Sequence, residues 1–523
     1  MAFELKIEKV LISDNLDNCC SEILTNNGLQ VKTVSKLTKE ELLSEIPNYD
    51  ALIVRSATKV TEEVLIAGKR LKLVGRAGTG VDNIDINSAT SLGIVVMNTP
   101  SGNTLSAAEQ TCAMIMSLAR HIPQAAASMR EGKWDRKKYM GNELFEKTLG
   151  IVGLGRIGLE VAQRMQSFGM TTIGYDPLVS AEKAAEFNIE WMDLEKLWPL
   201  IDYVTVHTPL IPQTKGLLND KTFAKCKKGV RVINCARGGI IDEESLLRAL
   251  ESGQCAGAGL DVFVTEPPTG ISEKVVQHPK VISCPHLGAS TVEAQKRVAK
   301  DIAEQILNSI SGKSLYGAIN AGSLQGALKP EAGPWINLST ALARVALCCC
   351  GMKVEKVLIT TSGSRLENAS TFLTSAVLMG IIDKADNSLN LINAEYFAKQ
   401  LGVQVEKVHE NKQRYMCDDS ISITVYFKDN ISSSVTGTIF GSNTPTLVQL
   451  NGHVFISPVP LAGKLCFIQL SISEVLGKIG KAQNLKGLYS SGSDKGELTA
   501  VSIEEDVDLT KAFQTSDMFV VSL

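Results

Sequence analysis

The chain has 523 residues, of which 44% are hydrophobic and 21% charged, and its formal net charge is −3. A single hydrophobic core rarely extends beyond about 250–300 residues, so we expect several domains. The near-neutral charge argues against nucleic acid and anionic membranes as partners, and no apolar run approaches the ~18 residues needed to span a bilayer.

Residues 1 to about 98 alternate short apolar runs with helical stretches. Thr38, followed three residues later by Glu41, is a capping box that opens a helix ending near Ile46. Continuous apolar runs are typical of a parallel sheet that is buried on both faces. This α/β layout predicts strands at residues 10–13, 51–54, 73–75 and 94–97.

Two long helices are predicted to frame the next part of the chain, at residues 104–120 and 291–311. Ser290 and Glu293 form a capping box for the second helix, and Gly312 ends it. Between the two helices the chain repeats strand–helix–strand. The fold class is therefore α/β, with two Rossmann-like, doubly wound parallel-sheet lobes.

The first lobe has too few strands to close its sheet securely, so we expect the second long helix to return to it. This predicts a discontinuous substrate-binding domain of residues 1–99 and 290–316, with a nucleotide-binding domain of residues 100–289 inserted. The two long helices would then be the hinges, with the active cleft between the lobes.

After about residue 316 the pattern changes to alternating strands, and two α+β domains are expected, at residues 317–457 and 458–523. Asn451-Gly452 between apolar runs is a strong hairpin signal. From Lys464 the order is strand, helix to about residue 483, two strands, a helix at 506–514 and a last strand. That order predicts a ferredoxin-like split βαβ fold.

A glycine-rich turn follows the predicted strand at residues 149–152. It reads Gly153-Leu154-Gly155-Arg156-Ile157-Gly158 and leads into a helix, which brings a pyrophosphate close to the backbone at a helix N-terminus. The next strand ends at Asp176, where the ribose hydroxyls need an acceptor. A carboxylate there repels a 2′-phosphate, so the sequence predicts NAD rather than NADP.

His207 ends a later strand and is expected to line the cofactor cleft.

Three polar residues, Arg237, Glu266 and His286, follow apolar, β-branched runs. Ligands bind outside the carboxyl ends of parallel strands, so these side chains are expected to meet there. Any one of these residues by itself is better interpreted as a polar strand-end residue that caps a loop. The three together, downstream of the glycine-rich turn, favour a catalytic site. Of the six histidines, His286 is the best-placed base. We expect Glu266 to raise the pKa of His286 and Arg237 to bind a carboxylate, an assembly suited to alcohol oxidation.

A second cationic cluster is predicted in the first lobe. Arg55-Ser56 and Arg76 each end a strand, and Asn103 opens the first long helix. Two arginines at strand ends suit a substrate with more than one anionic group. The alternative is a set of solvated charges on loops.

The twelve cysteines include no Cys-x-x-Cys pair, and their spacing suits neither a zinc site nor a disulfide framework. The charged N-terminal residues Glu4, Lys6, Glu8 and Lys9 argue against a secretion signal. We therefore expect a cytosolic protein with reduced thiols and no metal.

Several motifs together resemble the D-isomer-specific 2-hydroxyacid dehydrogenases over about residues 5–316. They are the fingerprint with Asp176, Asn234 to Gly239 with Asp242, Leu260 to Phe263 with Glu266-Pro267, and Pro285 to Ala289. The resemblance implies His286 as proton donor and acceptor, and substrate contacts from Arg55, Ser56, Arg76, Gly78 and Asn103. It also implies NAD contacts from Thr79, Arg156, Ile157, Asp176, Thr208, Cys235, Ala236, Arg237, Asp261, His286, Leu287, Gly288 and Ala289.

Within that family, residues 54–59, 75–83 and 132–136 are similar to the branch that acts on 3-phosphoglycerate, in its long, animal-type form. This implies NAD-dependent oxidation of 3-phospho-D-glycerate to 3-phosphooxypyruvate, the first step of L-serine biosynthesis, by a cytosolic homotetramer. It also implies an intervening regulatory-type domain at 317–457 and an ACT-like domain at 458–523. Arg136 is expected to reach the substrate of a neighbouring subunit.

Two other functions remain open from the sequence. A glyoxylate/hydroxypyruvate reductase would keep the same three residues but would not need two extra arginines or about 200 further residues. An NAD-sensing corepressor similar to the C-terminal-binding proteins also keeps the set, but its tail is disordered. The extension here is patterned as strands and helices, which argues against the corepressor.

Overall fold

The structure is a computed structural model that describes residues 4–348, 353–367, 369–382, 388–412, 415, 417–441, 443–479, 485–492, 496–504, 513 and 518–523. Two compact units are present, Met1–Asn98 with Ile302–Leu523, and Thr99–Asp301. The finer division into four domains stays a prediction. No helix in the described part of the chain is long and apolar enough to cross a membrane.

The first unit begins with an α/β sheet. Its elements are β1 (Lys9–Ile12), α1 (Cys19–Asn26), β2 (Gln30–Thr33), α2 (Lys39–Glu45), β3 (Ala51–Val54), α3 (Glu62–Ala67), β4 (Leu73–Arg76), α4 (Ile86–Ser91) and β5 (Val95–Asn98). The strands form a parallel sheet in the order β2-β1-β3-β4-β5. The four predicted strands and the capping box of Thr38 with Glu41 are confirmed. Strand β2 was not predicted, because its side chains are largely exposed and form no apolar run.

The second unit is a larger α/β fold. Its elements are α5 (Thr104–Arg120), α6 (Ile122–Arg130), β6 (Thr148–Val152), α7 (Arg156–Gln166), β7 (Thr171–Tyr175), α8 (Ala181–Ala185), β8 (Glu190–Trp191), α9 (Leu194–Leu197), β9 (Tyr203–Val206), α10 (Asp220–Phe223), β10 (Val230–Asn234), α11 (Glu243–Ser252), β11 (Cys255–Leu260), α12 (Ile271–Gln277), β12 (Val281–Ser283) and the first part of α13 (Val292–Ile310). All strands are parallel, in the order β12-β11-β10-β9-β6-β7-β8. This order is a doubly wound, Rossmann-like sheet.

The last part of α13 belongs to the first unit, where it packs on the parallel sheet. A Cβ placed on Gly75 of β4 would lie 3.0 Å from the Ile302 side chain, so the glycine lets helix and sheet approach closely. The predicted capping box of Ser290 with Glu293 is wrong. The helix begins one residue later, and the Thr291 hydroxyl accepts the Ala294 N–H at 3.1 Å.

The first unit continues with an α+β region. Its elements are α14 (Ala332–Cys348), β13 (Val354–Ser362), α15 (Ser370–Ile381), α16 (Ala394–Gln400), β14 (Gln404–Glu410), β15 (Ser420–Phe427), β16 (Ser432–Phe440), β17 (Thr444–Leu450), β18 (His453–Pro460), β19 (Lys464–Ile468), α17 (Ile472–Ile479), β20 (Leu485–Gly492), β21 (Thr499–Ile503) and β22 (Met518–Ser522). The strands form one mixed sheet, β14-β13-β15-β16-β17-β18-β20-β21-β19-β22.

Two predictions for this region can be compared with the sheet. The hairpin at Asn451-Gly452 is confirmed, because both residues have positive φ and join paired strands. The order β20-β21-β19-β22, with antiparallel pairs, is that of a split βαβ fold. The predicted helix at 506–514 lies outside the described residues except for position 513. The fold class, two Rossmann-like lobes followed by α+β domains, is confirmed.

Candidate active site

Three neighbouring strands of the second unit end level with one another. In the register of β10, β11 and β12, Asn234 lies opposite Leu260, and Leu260 opposite Ser283. Arg237, Glu266 and His286 follow these three strand ends within a few residues. The level register is what brings one cation, one carboxylate and one imidazole to the same edge of the sheet.

The imidazole of His286 is hydrogen bonded to Glu266, with Nδ1 and Oε2 2.8 Å apart. The other carboxylate oxygen of Glu266 accepts the Phe263 N–H at 3.1 Å. The hydrogen bond to Glu266 raises the pKa of His286, against an opposing effect of burial. Burial disfavours the charge of Glu266, but the hydrogen bonds from His286 and Phe263 outweigh it and lower the pKa of Glu266. The pair therefore favours a carboxylate next to an imidazole that protonates readily.

Arg237 lies close enough to this pair to act on both pKa values. Its positive charge lowers the pKa of His286 and that of Glu266. The turn that carries Arg237 is held by Asn234, whose side chain accepts the Ala236 N–H at 3.0 Å and donates to the Arg237 carbonyl at 2.8 Å. A Cβ on Gly238 would overlap the carbonyl oxygen of Phe263, so only glycine allows the Arg237 turn to pack against the loop before Glu266.

Asp261 holds the segment that begins at His286. It is fully buried, and its two carboxylate oxygens accept the N–H groups of Leu287 and Gly288 at 2.8 and 2.7 Å. Burial raises the pKa of Asp261, and these hydrogen bonds oppose the rise. His286 has a φ of 56°, a conformation that few residues other than glycine adopt. Two hydrogen bonds to the next residues support this conformation. The segment continues to Ala289, whose carbonyl accepts the Gln295 amide at 2.6 Å.

The glycine-rich turn between β6 and α7 is shaped for close approach of a ligand. Gly153 has a φ of 100°, and a Cβ on Gly158 would overlap the Gly153 carbonyl, so both positions require glycine. Gly155 caps α7, which begins with Arg156 and Ile157. A Cβ on Gly155 would meet no atom within 4 Å. The free space at a helix N-terminus fits a pyrophosphate.

Asp176 lies at the end of β7, the strand next to the glycine-rich turn. Its carboxylate accepts the Leu154 N–H at 2.9 Å and the Leu178 N–H at 2.8 Å. These two bonds fix the carboxylate at the strand end, where a dinucleotide presents its ribose. The arrangement fits NAD, since a fixed negative charge disfavours the extra phosphate of NADP.

Further residues predicted for the cofactor follow β9 and β10. Burial lowers the pKa of His207 to about 4, so its imidazole is neutral near pH 7, and it lies 3.1 Å from the Thr205 hydroxyl. The hydroxyl of Thr208 is buried and has no hydrogen-bond partner among the described residues. Burial raises the pKa of Cys235, as does the neighbouring Asp261. Cys235 is therefore a neutral thiol, next to Ala236 in the Arg237 turn.

In the first unit, the two predicted arginines follow β3 and end β4. Asn83 joins them: its amide donates to the Arg55 carbonyl at 2.7 Å, and its oxygen accepts Nε of Arg76 at 3.2 Å. The Nε atom of Arg55 is buried and has no partner among the described residues. A Cβ on Gly78 would overlap the Arg76 guanidinium. Ser56, predicted to bind the substrate, is exposed. Thr79, predicted to bind NAD, accepts a hydrogen bond from the Asn98 side-chain amide at its backbone carbonyl.

Two predicted substrate residues lie in the second unit. Asn103 precedes α5, and its carbonyl accepts the Ser106 hydroxyl at 3.1 Å. Arg136 is exposed in the segment between α6 and β6. The sequence pattern missed the side-chain roles of Asn83 and Asn234, although both lie in quoted motifs. The sequence did offer a signal for these roles: Asn83 follows the strand-end Arg76, and Asn234 precedes Arg237, and asparagine side chains often bind nearby backbone groups.

Two family models match separate parts of the chain. Residues 112–288 match the family model "D-isomer specific 2-hydroxyacid dehydrogenase, NAD binding domain", and residues 331–451 match "D-3-phosphoglycerate dehydrogenase intervening domain". The chain is 53% identical to D-3-phosphoglycerate dehydrogenase of Rattus norvegicus over 88% of this chain and 86% of that protein. It is 43% identical to the Bacillus subtilis protein of the same name, over 90% and 89%.

Solved structures are similar to the α/β part. A protein from Thermus thermophilus aligns with a TM-score of 0.53 and 32% identity, over 60% of this chain and 99% of that one. D-lactate dehydrogenase from Aquifex aeolicus, complexed with NAD and lactic acid, aligns with a TM-score of 0.53 and 28% identity, over 58% and 96%.

The His286–Glu266 contact predicts a measurable titration. With histidine side chains labelled with carbon-13, His286 should titrate above its ordinary pKa of about 6.5. Glu266→Gln removes the negative partner, so the pKa of His286 should fall. Glu273→Gln, on α12, is the matched control and should leave the pKa of His286 unchanged. An unchanged His286 titration in Glu266→Gln would contradict the assignment.

Proposed function

The chain belongs to the D-3-phosphoglycerate dehydrogenase family of the D-isomer-specific 2-hydroxyacid dehydrogenases, and we propose that it oxidises 3-phospho-D-glycerate to 3-phosphooxypyruvate with NAD. In the cell this reaction begins L-serine biosynthesis. The observation that carries the chemistry is the 2.8 Å contact between His286 and Glu266, formed at strand ends level with the Arg237 turn.

The catalytic roles follow from the charges at this edge. Neutral His286 takes the proton of the substrate hydroxyl at Nε2, because Nδ1 is engaged by Glu266. The imidazolium formed is stabilised by the Glu266 carboxylate. Arg237 pairs with the substrate carboxylate through its planar guanidinium. Bound NAD supplies the hydride acceptor. In the reverse direction, protonated His286 returns the proton to the oxygen of the keto group.

The cofactor site is proposed to follow the glycine-rich turn and the strand ends beside it. Asp176 binds the ribose hydroxyls and selects NAD, and the α7 N-terminus binds the pyrophosphate. The neutral thiol of Cys235 suits the wall of such a site, as does the Thr208 hydroxyl, which has no hydrogen-bond partner in the part of the chain that the structure describes. The full proposed set is Thr79, Gly153, Gly155, Arg156, Ile157, Gly158, Asp176, His207, Thr208, Cys235, Ala236, Arg237, Asp261, His286, Leu287, Gly288 and Ala289.

The second anionic group of the substrate is proposed to bind the cations of the first unit. Asn83 binds the backbone carbonyl of Arg55 and Nε of Arg76, and the pairing of β3 with β4 places the two arginines at neighbouring strand ends. A phosphate accepts hydrogen bonds from several donors at once, which suits paired guanidinium groups. The proposed substrate residues are Arg55, Ser56, Arg76, Gly78, Asn103 and Arg136.

A cytosolic homotetramer is proposed as the working form, with copies of the chain meeting through the segment from α6 to β6. This segment exposes large apolar side chains that a second copy would cover. Arg136 lies in the same segment, so this contact would place it near a neighbouring subunit's substrate. The exposed fractions are 51% for Ile122, 53% for Met129, 74% for Trp134, 79% for Met140 and 61% for Phe145.

The oligomer is tested by a double change, Trp134→Asp with Met140→Asp. Charges on a buried apolar contact are unfavourable, so the measured mass in analytical ultracentrifugation should fall to a smaller species. The KM for 3-phosphoglycerate should rise with it, because Arg136 would no longer reach a neighbour's substrate. A monomeric variant with an unchanged KM would contradict the role of Arg136.

Substrate and base are tested by NADH formation with 3-phosphoglycerate, D-lactate and D-glycerate. The phosphorylated acid should be the best substrate. His286→Ala should reduce kcat by about 10²- to 10⁴-fold, since it removes general base catalysis. His278→Ala, at the end of α12, should retain normal turnover. Activity with D-lactate but none with 3-phosphoglycerate would contradict the substrate assignment.

The cation cluster is tested by Arg55→Gln and Arg76→Gln. Each should raise the KM for 3-phosphoglycerate by about 10-fold or more, because a charged hydrogen bond contributes about 1.5–3 kcal/mol. The kinetic constants for D-glycerate, which lacks the phosphate, should change little. Lys69→Gln, an exposed cation of the same lobe, is the control. An equal loss with both substrates would contradict phosphate binding there.

A further inference from the structure

Glu243 is a buried carboxylate that the proposed chemistry does not yet use. It is the first residue of α11 and is 7% exposed. Its neighbour Glu244, one position along the same helix, has a side chain that is 67% exposed. A carboxylate is rarely buried unless it is hydrogen bonded, so the partners of Glu243 are informative.

The two partners of Glu243 flank Glu266 in the chain: Val264 lies in the loop that carries Glu266, and Ser272 lies in the first turn of α12, which follows that loop. The Val264 N–H donates to Oε1 at 2.9 Å, and the Ser272 hydroxyl donates to Oε2 at 2.6 Å. Ser272 is also 3.1 Å from the hydroxyl of Thr265. One carboxylate therefore holds the loop two residues before Glu266 and six residues after it.

The loop needs such an anchor because most of it is exposed. Residues 264–267, 269 and 270 are all exposed, and the side chain of Glu266 itself is 39% exposed. A loop with few buried side chains gains little stability from packing. A displacement of about 1 Å at a reacting group costs about 10²-fold in rate, so the position of Glu266 must be held by hydrogen bonds.

We propose that Glu243 is a positioning residue for proton transfer: its carboxylate holds residues 264–272 so that Glu266 stays hydrogen bonded to His286. The inference rests on the proposed role of His286 as the proton acceptor. Glu243 touches neither of these two side chains through any described hydrogen bond, and it acts through the loop alone.

The electrostatic consequence is specific to Glu266. The charged groups that act on His286 are Glu266 and Asp261, which raise its pKa, and Arg237, which lowers it. Asp261 is bound to the amides of Leu287 and Gly288, so it stays in place without Glu243. The Glu266 carboxylate is also bound by the Phe263 N–H, so loss of Glu243 weakens the effect of Glu266 on His286 without abolishing it. The effect of Asp261 is unchanged, and the pKa of His286 falls.

The test compares Glu243→Ala and Ser272→Ala with Glu244→Ala as the matched control. In Glu243→Ala, the pKa of His286 should fall in the carbon-13 titration, and kcat should drop about 10- to 100-fold with the KM for NAD unchanged. Ser272→Ala should lower the pKa of His286 and kcat by smaller amounts. Glu244→Ala should match the wild type in both quantities. Added to Glu266→Gln, Glu243→Ala should cause little further loss.

Two results would overturn the proposal. One is a wild-type His286 titration in a folded Glu243→Ala protein, with folding judged by NADH fluorescence on binding. The other is a full, additive loss in the double variant. Should Glu243→Ala not fold, an unchanged His286 pKa in Ser272→Ala decides against the proposal. The titration needs no substrate, so it separates a failure of this inference from a failure of the substrate assignment.

Discussion

The hydrogen bond between His286 and Glu266 is the interaction on which the proposed proton transfer depends. A histidine with an ordinary pKa near 6.5 is half protonated just below neutrality, and in its neutral form either ring nitrogen can carry the proton. The carboxylate at 2.8 Å engages Nδ1 and leaves Nε2 for the substrate, and it raises the pKa so that a proton is accepted readily. Both side chains are partly exposed, so geometry rather than burial maintains the contact.

That geometry comes from buried polar groups that bind loop backbone. Asp261 binds the amides that follow His286, Asn234 binds the Arg237 turn, and Glu243 binds the loop around Glu266. Each of the three catalytic loops thus has one buried side chain that satisfies its amide or carbonyl groups. A level set of parallel strands delivers the loops, and these side chains set their shape.

Much of this could be predicted from the sequence, and the failures have physical causes. Apolar runs and the glycine fingerprint depend on local sequence, so the buried strands and the turn at Gly153 were found. Strand β2 is exposed and has no apolar pattern. The cap of α13 is Thr291 rather than Ser290. The sequence pattern could not separate these two neighbours, because both carry a hydroxyl group that can cap a helix. The role of Glu243 depends on Ser272, 29 positions away, and no local pattern contains that pairing.

The most direct measurement is the pH dependence of kcat/KM for 3-phosphoglycerate oxidation in the wild type and in Glu266→Gln. Oxidation needs neutral His286, so the rate falls as pH drops through its pKa, and the raised pKa places this acid limb above the ordinary value. In Glu266→Gln the acid limb should move to lower pH and the plateau should fall. An acid limb at the same pH in both proteins would contradict the tuning of His286 by Glu266.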